Sequence, residues 1–361
     1  MADVRAAPRY SIVPGDPVEH KGEVLALGYR NLPPAVQGAR EARYAKYFED
    51  SPLGPPHFFL ARDAQSDSFV GMSAIFPTQL RVFGELVPAA VAGEFAVDDG
   101  HRGLGPAVPL QRAAVNALGD HGLACAFGYP NEHSEPITRR VGYVDLGRLT
   151  RFVKVLRSRV LVEQYGRGRI AAGVGRVALD PLLAVFSRER LHRRPRELRV
   201  ERPAAFDDRF SEVWETNRRQ GRVTSERNPE LLNWKYEMGR EGGIYRTLAL
   251  IGKDDRVAGY AVYTVRNDIR HVVDILFGES QEVLDALLAE LIRDARKDGA
   301  LAISLIHLGA QSVLTKRLRS FGFLRRTEES SLHVYVPGES ELEQTLVEAG
   351  NWNFLQADAD V

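Results

Sequence analysis

The chain has 361 residues, 44% of them hydrophobic, with 48 basic and 48 acidic side chains and no formal net charge. This length and apolar content suffice for two ordinary domains, each with a core. The charge balance excludes a global field drawing the protein to nucleic acid or to an anionic membrane, so any anion recognition is local. The single cysteine, Cys125, excludes an intramolecular disulfide and reads as a small core residue inside the apolar run 123–127.

In chain order, residues 1–14 lack the basic start and apolar run of an export signal, and the loosely apolar stretch 170–186 is interrupted by Arg176, Asp180 and Pro181. A cytoplasmic protein without an integral membrane segment is expected. Strands are predicted over 10–13, 57–62, 69–76, 87–97, 124–127 and 143–156. Helices are predicted over 18–29, 35–48, 106–121 and 133–141. Residues 157–197 form an arginine-rich connector, with a helix expected around 181–191 and with Gly166, Gly168, Gly173 and Gly175 opposing a long rigid helix before it. Beyond it, strands at 198–201, 246–251, 257–265, 271–277 and 301–306 alternate with helices near 207–219, 281–298 and 310–321, and residues 339–361 form a C-terminal tail.

The two halves share an order of signals. Lys46-Tyr47 precedes an apolar run, a polar turn and Phe69-Val70-Gly71; Lys235-Tyr236 precedes an apolar run, a polar turn and Val257-Ala258-Gly259. Gly142-Tyr143 and Gly322-Phe323 close the halves. The pattern suggests a duplicated mixed α/β unit, with segments 1–156 and 198–338 as the two copies.

The strongest local signal is the turn from Asp98 to Ala107. Val91 to Val97 reads as a half-buried strand, and Val108 to Leu118 has helical apolar spacing. A strand, a glycine turn and a helix start bring free backbone N–H groups and a positive helix end to one point, which suits a pyrophosphate. No Gly-x-Gly-x-x-Gly opens the helix, so this is not a dinucleotide-binding fingerprint.

The order Arg102-x-x-Gly105-x-Ala107, followed by the strand-like run 124–129, Asn131 and Gly142-Tyr143, resembles the acyl-CoA-binding signature of the GCN5-related N-acetyltransferase (GNAT) family. The resemblance implies an α/β fold class with a mixed sheet, here as two GNAT-like acyltransferase folds in tandem, and acetyl-CoA as acyl donor. It implies backbone contacts from Phe95, Ala96 and Val97, and a phosphate cradle from Arg102, Gly103, Leu104, Gly105 and Ala107, with Asn131 beside it. Pro106 removes one N–H from that cradle but suits the first turn of a helix. The second copy lacks the loop: Phe277-Gly278-Glu279-Ser280-Gln281-Glu282-Val283 has one glycine, no arginine and two carboxylates that oppose a pyrophosphate.

Acetyl transfer to an amine needs a base, an oxyanion donor and a proton for the departing thiolate. Glu94, on the strand before the cradle, is the candidate base, although a strand glutamate also serves simply as an arginine's partner. Asp98 and Asp99 are better suited to capping the loop. Family members often carry tyrosine seven residues after the asparagine; that position here is Thr138. Tyr129 and His133 are therefore the candidate acids, with Tyr143 nearby. The expected partner is a small-molecule amine acceptor such as an amino sugar or sugar-nucleotide amine, with Tyr44, Tyr47, Trp234 and Tyr236 as stacking candidates; O-acetylation of a sugar is a close variant. No metal and no nucleic acid are expected, and a homo-oligomer is compatible with the chain. A Fem-like aminoacyl transferase and a non-catalytic acyl-CoA-binding or scaffolding module are the competing readings, and the cradle and neutral charge disfavour the first.

Overall fold

The computed structural model describes residues 8–33, 38–158, 187–217, 223–237, 243–278, 280–308, 312–338 and 341–359. Most of the connector, including residues 181–186 of the helix expected around 181–191, and Glu279 lie outside the described residues. From Ser187 the connector shows a short 3₁₀ turn, Arg188–Arg190.

The first half runs β1 (Tyr10–Pro14), α1 (Lys21–Asn31), α2 (Ala39–Tyr44), β2 (His57–Asp63), β3 (Ser68–Val82), β4 (Glu85–Val97), α3 (Ala107–Asp120), β5 (Ala126–Gly128), α4 (Glu135–Val141) and β6 (Val144–Val155). The helix expected to reach residue 48 passes into a π turn, Ala45–Glu49. β3 and β4 run longer than expected because Phe83 and Gly84, both at positive φ, join them in a two-residue hairpin whose twist suits paired strands.

The second half runs β7 (Arg199–Glu201), α5 (Arg209–Asn217), β8 (Val223–Ser225), α6 (Pro229–Tyr236), β9 (Tyr245–Ile251), β10 (Val257–Arg266), β11 (Ile269–Phe277), α7 (Gln281–Lys297), β12 (Ala302–Leu308), α8 (Val313–Ser320) and β13 (Leu324–Tyr335). α9 (Glu341–Leu346) and β14 (Phe354–Leu355) follow. Asn228 starts α6 by accepting the Leu231 N–H, and Ser312 does the same for α8 through Thr315.

Among the described residues, fourteen strands form one sheet, whose main path is β1-β2-β3-β4-β5-β13-β6-β12-β11-β10-β9-β7. Read from either end, the path presents the same sequence of elements: four antiparallel strands, a parallel neighbour, then an antiparallel closing strand. The closing strands are exchanged. β13 pairs with β5 in the first half, β6 pairs with β12 in the second, and β6 and β13 pair with each other in the middle. The sheet is thus continuous across the two halves through the pairing of β6 with β13.

Alternation along the strands divides the core between two faces. α3 packs on Ile75, Ala90 and Ala126, and α7 and α8 pack on Phe152, Ile303 and Leu305. On the other face α1 and α2 cover Phe58, Met72 and Phe76, while α5 and α6 cover Tyr260, Val262 and Val273. The C-terminal tail is a structural cover: Leu346, Trp352 and Phe354 are buried against Phe127, Leu149 and Val334 of the central strands. Cys125 is fully buried there, and burial pushes its thiol up to about 12, in keeping with a packing role. Among the described residues no helix is long and apolar enough to cross a membrane.

Candidate functional site

β4 and β5 pair only at Ala90 with Ala126 and Val91 with Phe127, then diverge. Beyond Val91 the edge of β4 that faces β5 has no strand partner among the described residues. On its other edge β4 bulges: Gly93 lies opposite Ala74 and Ala96 opposite Met72, so Glu94 and Phe95 together face Ser73 alone. Glu94 takes φ +47°, an uncommon conformation for a side-chain-bearing residue and one often found at functional sites.

The divergence opens a cleft of about 170 Å³ lined by Glu94 and Phe95 from β4, Gln111 from α3, Gly128 to Asn131 at and after the end of β5, Ser134 just before α4, Thr138 from α4, Tyr143, and His333 from β13. Gly128 is required by close approach, because a Cβ there would meet the Ala92 carbonyl oxygen at 3.0 Å.

Of the expected catalytic residues, the structure brings Glu94 and Tyr129 to the cleft and leaves His133 outside it. Glu94 is 10% exposed at its side chain, and its Oε1 accepts from Nε of Arg43 at 2.9 Å, so the arginine-partner role is real. Tyr129 is already engaged: its hydroxyl donates to the Leu355 carbonyl at 3.4 Å and its ring meets Phe354 edge-on. The His133 side chain is 86% exposed beside Glu132, because the turn into α4 directs its backbone, not its ring, inward. Asn131 lines the cleft and caps that turn, its Oδ1 accepting from the N–H groups of His133 and Ser134.

The cradle residues lie beyond the cleft, between β4 and α3. Gly103 and Gly105 have φ +77° and +114°, and a Cβ on either would meet nothing within 4 Å. Glycine is therefore demanded by the backbone, while the space around it stays open for a ligand. Pro106 is the residue before the first turn of α3, and Ala107 begins the helix. The Nε of Arg102 donates to the Val97 carbonyl at 3.0 Å, and its guanidinium also pairs with Asp99. Leu104 is exposed, whereas Ala96 and Val97 turn their side chains into the core. Burial works to raise the Asp98 carboxyl, yet hydrogen bonds from Arg30 and Asn31 hold it below the usual carboxylate range. Asp98 is thus a structural residue of the loop. The glycine-turn geometry and the unpaired edge of β4 fit a CoA-type acyl donor.

Sequence reasoning missed Gln111, which is buried with its amide donating to Ser73 at 3.2 Å, and His333. The signal for His333 was a polar residue between Leu332 and Val334 in an apolar strand.

Three residues before the end of β11, as Glu94 is before the end of β4, stands Asp274. There the carboxylate is sealed: Nε of Arg227 reaches its two oxygens at 3.0 and 3.2 Å, and the same guanidinium donates to Asp358 at 2.7 Å.

Residues 29–144 match the family profile described as the acetyltransferase (GNAT) domain. No curated protein matches the chain. Among solved structures, a conserved protein of unknown function from Enterococcus faecalis V583, described as a probable N-acyltransferase, superposes with TM-score 0.66 at 14% identity, over 91% of this chain and 73% of that one. A GCN5-related N-acetyltransferase from Kribbella flavida gives 0.61 at 18%, over 91% and 71%. Another from Anabaena variabilis ATCC 29413 gives 0.63 at 14%, over 91% and 73%. Residues 29–144 are thus similar to the acetyltransferase (GNAT) domain, and the chain as a whole shares its fold with these solved structures.

Proposed function

We propose that the protein is an acetyl-CoA-dependent N-acetyltransferase for a small amine, with its one CoA site in the first half. The observation that carries this reading is the combination of a strand splay between β4 and β5 with a positive-φ glycine turn that leads from β4 into α3. Bound acyl-CoA supplies an activated thioester. The cradle from Arg102 to Ala107 binds the pyrophosphate, the free edge of β4 at Phe95 to Val97 orients the pantetheine arm, and Glu94 takes a proton from the arriving ammonium. Held by Arg43, Glu94 has a defined geometry for that task.

The second half is read as a degenerate copy. Its matching strand order supports duplication, and the Arg227 and Asp358 seal on Asp274 supports the absence of a second reaction site. The aromatic residues offered for sugar stacking give little support to an amino-sugar acceptor. Tyr44, Tyr47 and Tyr236 are buried, Tyr44 stacks on Phe48, and Trp234 meets Tyr47 edge-on. The acceptor is therefore stated as a small amine, with amino sugars as one arm of the test. A cytoplasmic setting suits a CoA-dependent reaction.

The test is thiol release from acetyl-CoA with a panel of amino sugars, polyamines and amino acids, alongside calorimetric CoA binding. Amine-dependent thiol release is expected. CoA binding without release for any amine would make the protein a binding module; no CoA binding would remove the reading altogether.

A further inference from the structure

Two polar side chains of the cleft, Thr138 and His333, come from different elements, and a third, Asp145, stands behind them on β6. Thr138 on α4 lines the cleft, and its Oγ1 lies 3.1 Å from Nδ1 of His333 on β13. His333 is 1% exposed, and its Nε2 is buried without a hydrogen-bond partner. The nearest carboxylate to Nε2 is that of Asp145 on β6, at 4.0 Å.

We infer that Thr138 and His333 form a proton relay for acyl transfer, in which Thr138 is the catalytic hydroxyl and His333, acting through it, holds the proton between the two halves of the reaction. The inference rests on the acetyltransferase reading above. The Asp145 carboxylate favours a proton on Nε2, which leaves the Nδ1 lone pair facing the Thr138 hydroxyl. The hydroxyl also lies 2.9 Å from the Glu135 carbonyl, and rotation about its C–O bond selects between the two acceptors.

The step balances without a further reactant. The neutral amine attacks the thioester carbon, an N–C bond forms, and the C–S electron pair leaves with sulfur. As the nitrogen gives its proton to Oγ1 of Thr138, the hydroxyl proton passes to Nδ1 of His333. The same path in reverse delivers that proton to the thiolate, giving amide and thiol with both side chains restored. Glu94 acts earlier, on the ammonium form of the amine.

The groups around the imidazole suit the transient charge. Burial holds the His333 ring below the usual histidine range, so it is neutral and ready to accept. Asp145 on β6 and Glu135 on α4 oppose that shift, while Arg139 on α4, which pairs with both carboxylates, adds to it. Desolvation prevails over the carboxylates.

The experiment compares the full-length protein with Thr138→Val, Thr138→Ser and His333→Asn, each checked for its thermal transition. Thr138→Val is nearly isosteric, so it remains informative if His333→Asn fails to fold. Thr138→Val is expected to lower kcat about 10²-fold with CoA affinity within about twofold of wild type, and Thr138→Ser to restore most of the rate. His333→Asn should also remove the acidic limb of the kcat–pH profile. Nitrogen-15 NMR of labelled histidine supplies a readout independent of turnover. It should show the His333 proton on Nε2 in wild type, and a shifted Nδ1 signal in Thr138→Val. Wild-type turnover in Thr138→Val, or a resting proton on Nδ1, would overturn the relay. If the wild type binds CoA but releases no thiol, the acetyltransferase reading fails, and the relay fails with it as a catalytic device even where the NMR shows the expected tautomer.

Discussion

Glu94 and Asp274 each lie three residues before the strand end that stands opposite Gly71 or Gly259, Glu94 within the bulge of β4 and Asp274 paired with Val262. Each meets an arginine, Arg43 at 2.9 Å and Arg227 at 3.0 Å. Their settings differ: Glu94 borders an open cleft, while Asp274 is closed in by Arg227 and the C-terminal Asp358.

For Glu94, exchange to glutamine keeps the shape and removes the base. Turnover at pH 7 is expected to fall about 10²-fold, with CoA affinity retained. Steady-state kinetics across pH 6 to 9 with parallel calorimetry will decide; unchanged turnover across that range removes Glu94 from the mechanism.

The cradle is tested by Gly105→Asp. At φ +114° an L side chain is strained, and the added carboxylate enters the open space assigned to the pyrophosphate. CoA affinity should fall at least tenfold while the far-UV dichroism stays native. A folded variant with undiminished affinity places the CoA site elsewhere.

Removing Arg227 leaves two buried carboxylates without their cation. Arg227→Met should cost about 3 to 5 kcal/mol in urea unfolding. Adding Asp274→Asn and Asp358→Asn to that variant should recover more than half of the loss. No recovery would mean that the arginine acts mainly by packing beside Trp214.

His307 gives a pH signature. It is buried on β12, with Nε2 3.0 Å from Oδ1 of Asn353, and burial pushes its imidazole down to about 4. Because the unfolded chain binds this proton near pH 6.5, its contribution is fully present above that pH and is lost as pH falls towards 4. The loss is on the order of 3 kcal/mol. Urea midpoints measured between pH 7 and 4 should show this slope in wild type and a shallower one in His307→Gln.

Truncation after Leu156 removes β13 and the C-terminal cover together. The remaining first half would expose the β5 edge and the apolar face around Phe127 and Leu149. It should aggregate or remain partly unfolded by size-exclusion chromatography and dichroism. A monomeric fragment with native dichroism would show that the exchanged strand is dispensable.

The glycine turn before α3 and the two strand series were legible in the sequence because their causes are local. Positive φ at Gly103 and Gly105 calls for glycine, helix starts tolerate proline at Pro106, and alternation such as Val91 to Val97 records which side of a strand is buried. Period-two alternation reports a face, however, and says nothing about the neighbouring strand. The backbone edge of β5 accepts any strand of suitable length and register, so the entry of β13 between β5 and β6 was decided only when the whole sheet assembled. The same applies to the site. The contact between Thr138 and His333 spans 195 positions in sequence, and the seal on Asp274 comes from Asp358 in what reads as a tail. Hydrogen bonds between distant side chains follow from packing geometry, which only the tertiary structure determines.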